Sequence, residues 1–419
     1  MKLFAAALSP ANSLSLSACR LASCLIKSRA TGTKRQLPLR LILISYVILT
    51  GTIVSTASAT PAVTQAENFF APADTDAEVS SAAAFSCDAQ MTRRQLAQLT
   101  GVMVSFEDLS HVARYARRGE ISLLGLLGEP DNSLEQKIEQ LQAVSQIPVL
   151  VGSDEESRSV QRLENLIYRL PSSRSMVASG VASVSTTFED YGKQMRALGV
   201  QMSFGPVADV GRGPGIGYRS FGTDADVVTK FSTSVIDGFT AAGVVPVIKH
   251  FPGHGMATAD THHRPAKTPP LAELQEQLMV FRELINKQVA VMVGHLLVPD
   301  LTDGLPASLS RPAISQLLRD DLGFEGLVIT DSLDMSAITS LFTQAEAGLK
   351  AILAGADVAL VSTLEAQQQL LDLLVSAFED GRLKSARVQQ SLDRVYQVKS
   401  DLFSDQQLSD WQLLLACNR

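Results

Sequence analysis

Short apolar runs that alternate eight times with helical patterns constrain this chain more than any other feature. From residue 100 onward the runs fall at 101–106, 121–127, 148–154, 201–210, 244–250, 289–296, 326–331 and 356–362. Helix-type periodicity marks segments between them, at 133–144, 188–198, 225–242, 271–287, 311–322 and 364–378. Strands joined through helices run parallel, and eight such units predict a (β/α)8 barrel of the TIM type. A doubly wound open sheet is the alternative on pattern alone. The hydrophobic content of 46% is ample for a large core, and barrels of this size form single domains.

A barrel carries its chemistry at the C-terminal ends of its strands. In order, the ends of the runs offer Asp154, Asp209, Lys249-His250, His295 and Asp331. Solvated surface explains this convergence poorly, so it predicts one concave polar pocket. The fifth run leads into the densest part of it. Four of the six histidines fall between residues 250 and 263, in Lys249-His250-Phe251-Pro252-Gly253-His254-Gly255 and then Asp260-Thr261-His262-His263. Histidine changes charge near neutral pH, which makes this loop a candidate for proton transfer.

Each constellation has a plainer reading. His250 and His254 have the spacing of two zinc ligands on a helix, but Pro252-Gly253 lies between them and no His-Glu-x-x-His motif is present. No metal is therefore expected. Asp260-x-His262 places a carboxylate where it can orient an imidazole and raise its basicity, and it also fits an Asx-turn beside an exposed histidine. Asp331 is either a helix N-cap or a carboxylate nucleophile at the rim; Asp334, three residues on, is its competitor. Gly211-Arg212-Gly213-Pro214-Gly215 and Gly253-His254-Gly255 lack both the phosphate-loop ending and the dinucleotide-binding spacing. A net charge of −7 argues against nucleic acid as a partner.

The first 66 residues differ in kind. They hold Lys2, Arg20, Lys27, Arg29, Lys34, Arg35 and Arg40 before the first acid, Glu67. An apolar stretch at 41–54 ends in Ser55-Thr56-Ala57-Ser58-Ala59, which reads as a secretory signal cleaved after Ala59. Retention as a membrane anchor through 39–56 is the alternative, although the stretch is short of the roughly 20 residues of a spanning helix. A lipoprotein box at Leu16-Ser17-Ala18-Cys19 is disfavoured by Pro10 and Asn12 before it. The expected organisation is a signal or anchor at 1–59, a linker at 60–85 and a barrel at 86–419, exported to the periplasm or outside the cell. Past the signal only Cys87 and Cys417 remain. A closed barrel brings its ends together, so these two thiols are candidates for one bridge in an oxidising compartment.

The histidine-rich segment, from Lys249 through Gly255 to Asp260-Thr261-His262, resembles the signature of bacterial β-N-acetylhexosaminidases of glycoside hydrolase family 3. It is joined by Phe204-Gly205-Pro206-Val207-Ala208-Asp209, by Arg219-Ser220-Phe221-Gly222, and by Gly323-Phe324-x-Gly326 leading to Thr330-Asp331-Ser332-Leu333-x-Met335. The likeness spans about residues 90–400, and no sandwich domain follows, which is the form of the hexosaminidases. It implies a (β/α)8 barrel with Asp331 as nucleophile and His262 as acid/base, paired with Asp260. It further implies that Asp154, Arg162, Arg219, Lys249 and His250 hold the terminal sugar. One departure stands out. The family's third strand usually ends Asp-Gln-Glu-Gly-Gly-Arg-Val-Gln-Arg, whereas this chain reads Asp154-Glu155-Glu156-Ser157-Arg158-Ser159-Val160-Gln161-Arg162. Both glycines and the middle arginine are gone, which predicts a reshaped rim beside the sugar.

The implied reaction is retaining hydrolysis of terminal non-reducing N-acetylglucosamine through a covalent glycosyl-aspartate, with no cofactor. The substrate would be an N-acetylglucosamine-containing oligosaccharide or muropeptide, from peptidoglycan fragments or chitin-type chains. A phosphorylase, with phosphate in place of water, and a catalytically weak carbohydrate-binding homologue are the alternatives.

Overall fold

A computed structural model describes residues 89–416. The expected signal or anchor, the linker, and both Cys87 and Cys417 lie outside the described residues.

Eight short strands form the centre: β1 Thr100–Ser105, β2 Leu123–Leu127, β3 Leu150–Ser153, β4 Met202–Ser203, β5 Val245–Phe251, β6 Ala290–Val293, β7 Val328–Thr330 and β8 Ala359–Val361. Each falls within or within one residue of its apolar run. They pair in the order β7-β6-β5-β4-β3-β2-β1-β8, all parallel. A further bridge from Ile329 to Val358 joins β7 to β8 and closes the ring. The structure is thus a (β/α)8 barrel, and the open sheet is excluded. Burial on both faces explains why the strands read as continuous apolar runs.

β4 is shorter than its run because Pro206 has no N–H to give the ladder. The chain nevertheless stays beside β5 as far as Asp209. Val247 and Lys249 donate to the Gly205 and Pro206 carbonyls at 3.0 and 3.2 Å, and Ala208 donates to the Lys249 carbonyl at 2.7 Å. That continuation carries Asp209 to the rim.

The barrel interior is filled, and its filling shapes the site. A Cβ at Gly125 would lie 2.1 Å from the Met103 sulfur, and one at Gly152 would lie 2.6 Å from the Phe204 ring. These strand glycines make room for Met103 and Phe204, which form part of the pocket lining above. Helices complete the outer ring. Asp224 caps Ala225–Ala241 by accepting from the Asp226 and Val227 N–H groups. A Thr343/Glu346 capping box starts Gln344–Ala354. The expected helix at 311–322 appears as a wide π-helix, Pro312–Asp321.

Candidate active site

Seven of the eight residues expected to form the site line a single cavity of about 380 Å³: Asp154, Arg162, Arg219, Lys249, His250, His262 and Asp331. The eighth, Asp260, stands behind His262 with its Oδ1 2.7 Å from the His262 Nδ1. A larger cavity, about 590 Å³, lies at the opposite rim beside Val245, Val289 and Leu327, where strands begin. It is lined by no histidine, and a barrel's chemistry belongs at the other end.

The segment after β3 makes the charged wall. Asp154 and Glu156 are two apart, so extended backbone points both the same way. The buried Lys249 ammonium lies 2.7 Å from Asp154 Oδ1 and 2.6 Å from Glu156 Oε1. Arg219 grips Glu156 with two bonds, at 2.7 and 2.9 Å, and Arg162 reaches Asp154 at 3.5 Å. Burial opposes ionisation of Glu156, but Arg219 and Lys249 outweigh it and hold the carboxyl far below its usual range. Burial likewise opposes the Lys249 charge, and Asp154 and Glu156 raise its pKa above the usual lysine value all the same. Glu156 and Lys249 thus hold each other in their charged forms. Sequence reasoning missed Glu156, although the period of two from Asp154 was the signal that would have found it.

The departure at 157–158 is absorbed without left-handed backbone. Glu155–Ser157 pairs antiparallel with Val160–Gln161, and neither Ser157 nor Arg158 has a positive φ. A tight hairpin carries the chain from Glu156 back to Arg162. Glu155 replaces the family's glutamine and points the other way, into the wall. Its carboxylate accepts from the Tyr191 hydroxyl at 2.6 Å, the Ser153 hydroxyl at 2.7 Å and the Arg162 and Leu163 N–H groups at 3.2 Å. Burial nevertheless pushes its pKa up to about 7. The unfolded chain loses this proton near the ordinary glutamate value of about 4.3, so native stability falls as pH rises from there to about 7. Glu155→Gln should therefore raise the melting temperature most at pH 8, by the equivalent of about 3–4 kcal/mol, and not at all near pH 4. Thermal unfolding of the two proteins across pH checks this; a pH-independent difference would contradict it.

β5 delivers Lys249 and His250. Asp209, fully buried, takes the His250 ring Nδ1 at 2.7 Å and the His254 N–H at 2.6 Å. The ring Nδ1 is committed to this carboxylate, and Arg219 Nη2 lies 3.4 Å from Nε2. Asp209 thus fixes the orientation of the His250 ring. The strand-end pattern had picked out this aspartate without giving it a task.

The two glycine-rich stretches interlock. Gly213 donates to the Gly255 carbonyl at 2.8 Å, and a Cβ at Gly255 would sit 2.0 Å from the Val210 carbonyl oxygen. They are a backbone-on-backbone joint that sets the 253–262 loop. On that loop Asp260 Oδ1 accepts the His262 N–H at 3.0 Å as well as meeting the ring. The Asx-turn and the acid–histidine pair are therefore one structure. The His262 ring is half exposed at the mouth, and its loop is held by Ser336 and Ala337 N–H groups donating to the His262 and Thr261 carbonyls.

Asp331 follows β7. Burial opposes its charge, but His250, His295 and Lys249 lower its pKa below the usual aspartate value. The Ser332 N–H donates to its Oδ1 at 2.8 Å. Asp334 also borders the cavity but is exposed, and it accepts from the Ser332 hydroxyl at 2.7 Å. Among the described residues no group of three or more metal-binding side chains is gathered for an ion.

Comparison with known proteins places the barrel in a family. The family model described as the glycosyl hydrolase family 3 N terminal domain matches residues 91–398. The β-hexosaminidase LpqI of Mycobacterium tuberculosis is 42% identical over 266 residues, 60% of this chain and 68% of that protein. The solved LpqI structure superposes with a TM-score of 0.70 at 37% identity, covering 75% of this chain and 97% of that one. A family 3 β-N-acetylglucosaminidase from Paenibacillus gives 0.70 at 31% identity, covering 78% and 68%.

Proposed function

The chain belongs to glycosyl hydrolase family 3, and from that premise we propose that it is a retaining β-N-acetylhexosaminidase acting on terminal N-acetylglucosamine. The observation that carries this reading is a buried, ionised Asp331 on the same cavity as a half-exposed His262 backed by Asp260. Neighbours named for hexosaminidase or N-acetylglucosaminidase activity support the substrate.

Asp331 attacks the anomeric carbon as the glycosidic C–O bond breaks. Oδ1 accepts from the Ser332 N–H, and Oδ2 is assigned the new bond. The departing oxygen takes the proton from His262 Nε2, since Nδ1 is committed to Asp260. Water then returns a proton to Nε2 and displaces Asp331 from the sugar, with net retention. Asp154, Glu156, Arg162, Arg219 and Lys249 present fixed donors and acceptors to the sugar hydroxyls, and His250 stands beside them. Export to the periplasm or beyond, with N-acetylglucosamine-bearing peptidoglycan or chitin-type fragments as substrate, completes the proposal.

The test is product analysis on a chromogenic N-acetylglucosaminide with and without phosphate. Free N-acetylglucosamine in both reactions is expected. A sugar phosphate formed only with phosphate present would make the enzyme a phosphorylase. No turnover of any N-acetylglucosaminide would leave a carbohydrate-binding homologue.

A further inference from the structure

His295 closes β6 at the catalytic rim, fully buried, yet it does not line the cavity. Its Nε2 lies 2.9 Å from the Ser332 carbonyl oxygen. A carbonyl only accepts, so Nε2 carries the hydrogen. Its Nδ1 lies 2.7 Å from the Ser308 hydroxyl. Burial lowers the pKa of the ring even though Asp331 pulls it up, which favours the neutral imidazole. Nδ1 is then a lone pair, and the Ser308 hydroxyl donates to it. Ser308 is itself fixed, because its N–H donates to the Gly294 carbonyl at 3.2 Å.

The chain of bonds continues to the reacting group. Ser332, whose carbonyl His295 holds, turns its own N–H onto Asp331 Oδ1 at 2.8 Å. The Asp331 N–H donates to the Val293 carbonyl at 3.0 Å. Residues 331 and 332 are thus pinned at two points, to Val293 at the end of β6 and to His295 just beyond it.

We propose that Ser308 and His295 form a positioning relay that sets the orientation of the Asp331 carboxylate through the Ser332 backbone. The relay touches no sugar. Ser308 selects the tautomer, His295 fixes the Ser332 carbonyl, and the Ser332 N–H occupies Oδ1 so that Oδ2 alone faces the anomeric carbon. This rests on the reading of Asp331 as nucleophile. A reacting oxygen displaced by about 1 Å can cost 10²-fold in rate, which makes such a device worth its buried polar atoms.

The experiment compares His295→Leu, His295→Gln and Ser308→Ala with the unaltered full chain on an aryl N-acetylglucosaminide. Glutamine places an amide N–H near the reach of Nε2; leucine fills the space without a donor. His295→Leu should lower kcat by about 10–100-fold while the inhibition constant for free N-acetylglucosamine stays unchanged. His295→Gln should recover most of the loss, and Ser308→Ala should fall between them. Circular dichroism and melting curves establish folding, and Ser308→Ala carries the test if leucine at 295 does not fold. Folded variants with unaltered kcat would overturn the relay. So would parallel losses in kcat and product binding that glutamine fails to rescue. A fluorinated glycosyl donor that labels the unaltered protein at a residue other than Asp331 would instead overturn the underlying reading, whatever the variants do.

Discussion

Asp331→Ala will lower turnover by roughly 10⁴-fold or more while the barrel stays folded. On the proposed mechanism this carboxylate is the covalent partner of the sugar, whereas Asp154 and Glu156 on the same cavity are tied to Lys249. Asp331 is buried, its pKa is lowered, and its oxygens are set by Ser332. Asp334, the competitor in the sequence, is exposed and accepts from the Ser332 hydroxyl. Asp334→Ala should therefore cost far less, through a looser Ser332 rather than a lost nucleophile. Steady-state rates of both variants decide the point. A dead Asp334→Ala beside an active Asp331→Ala would reverse the assignment.

His262→Ala will separate substrates by their leaving groups. An alkyl or sugar leaving group needs a proton as the C–O bond breaks, and a nitrophenolate does not. General acid catalysis contributes about 10²–10⁴-fold, so sugar-leaving substrates should lose that much in kcat/KM and activated aryl substrates much less. The geometry motivates this directly: Asp260 holds Nδ1 at 2.7 Å, and the half-exposed ring lines the same cavity as Asp331. Equal losses on both substrate classes would remove His262 from the proton transfer. A chelator should change neither rate, since the account uses no metal.

Much of this was legible because parallel barrel strands, buried on both faces, appear as plain apolar runs. Their ends then pointed to the cavity, and Asp154, Lys249, His250 and Asp331 all reached it. The roles given to these residues came from the family likeness, not from the pattern. What the sequence concealed was direction. Asp154 stood out as a strand-end residue, but Glu155 and Glu156 could not be told apart; the pleat sends Asp154 and Glu156 to the cavity side and Glu155 to Tyr191. His295 ends a strand as His250 does, yet it turns to Ser332 and Ser308. Partners distant in sequence were equally hidden. Gly213 and Gly255 looked like two failed phosphate loops because each one's partner is a stretch of backbone elsewhere in the chain. Loss of the glycines at 157–158 predicted a reshaped rim, and a hairpin free of left-handed residues stands at that place.

The central claim is a glycosyl bond to Asp331. Incubation with a fluorinated N-acetylglucosaminyl donor, which slows release of the intermediate, followed by peptic digestion and mass spectrometry, tests it most directly. The account predicts one labelled peptide, heavier by a single sugar residue, with fragmentation placing the mass on Asp331. A label on Asp334 or any other side chain, or rapid turnover with inverted product and no adduct, would contradict it.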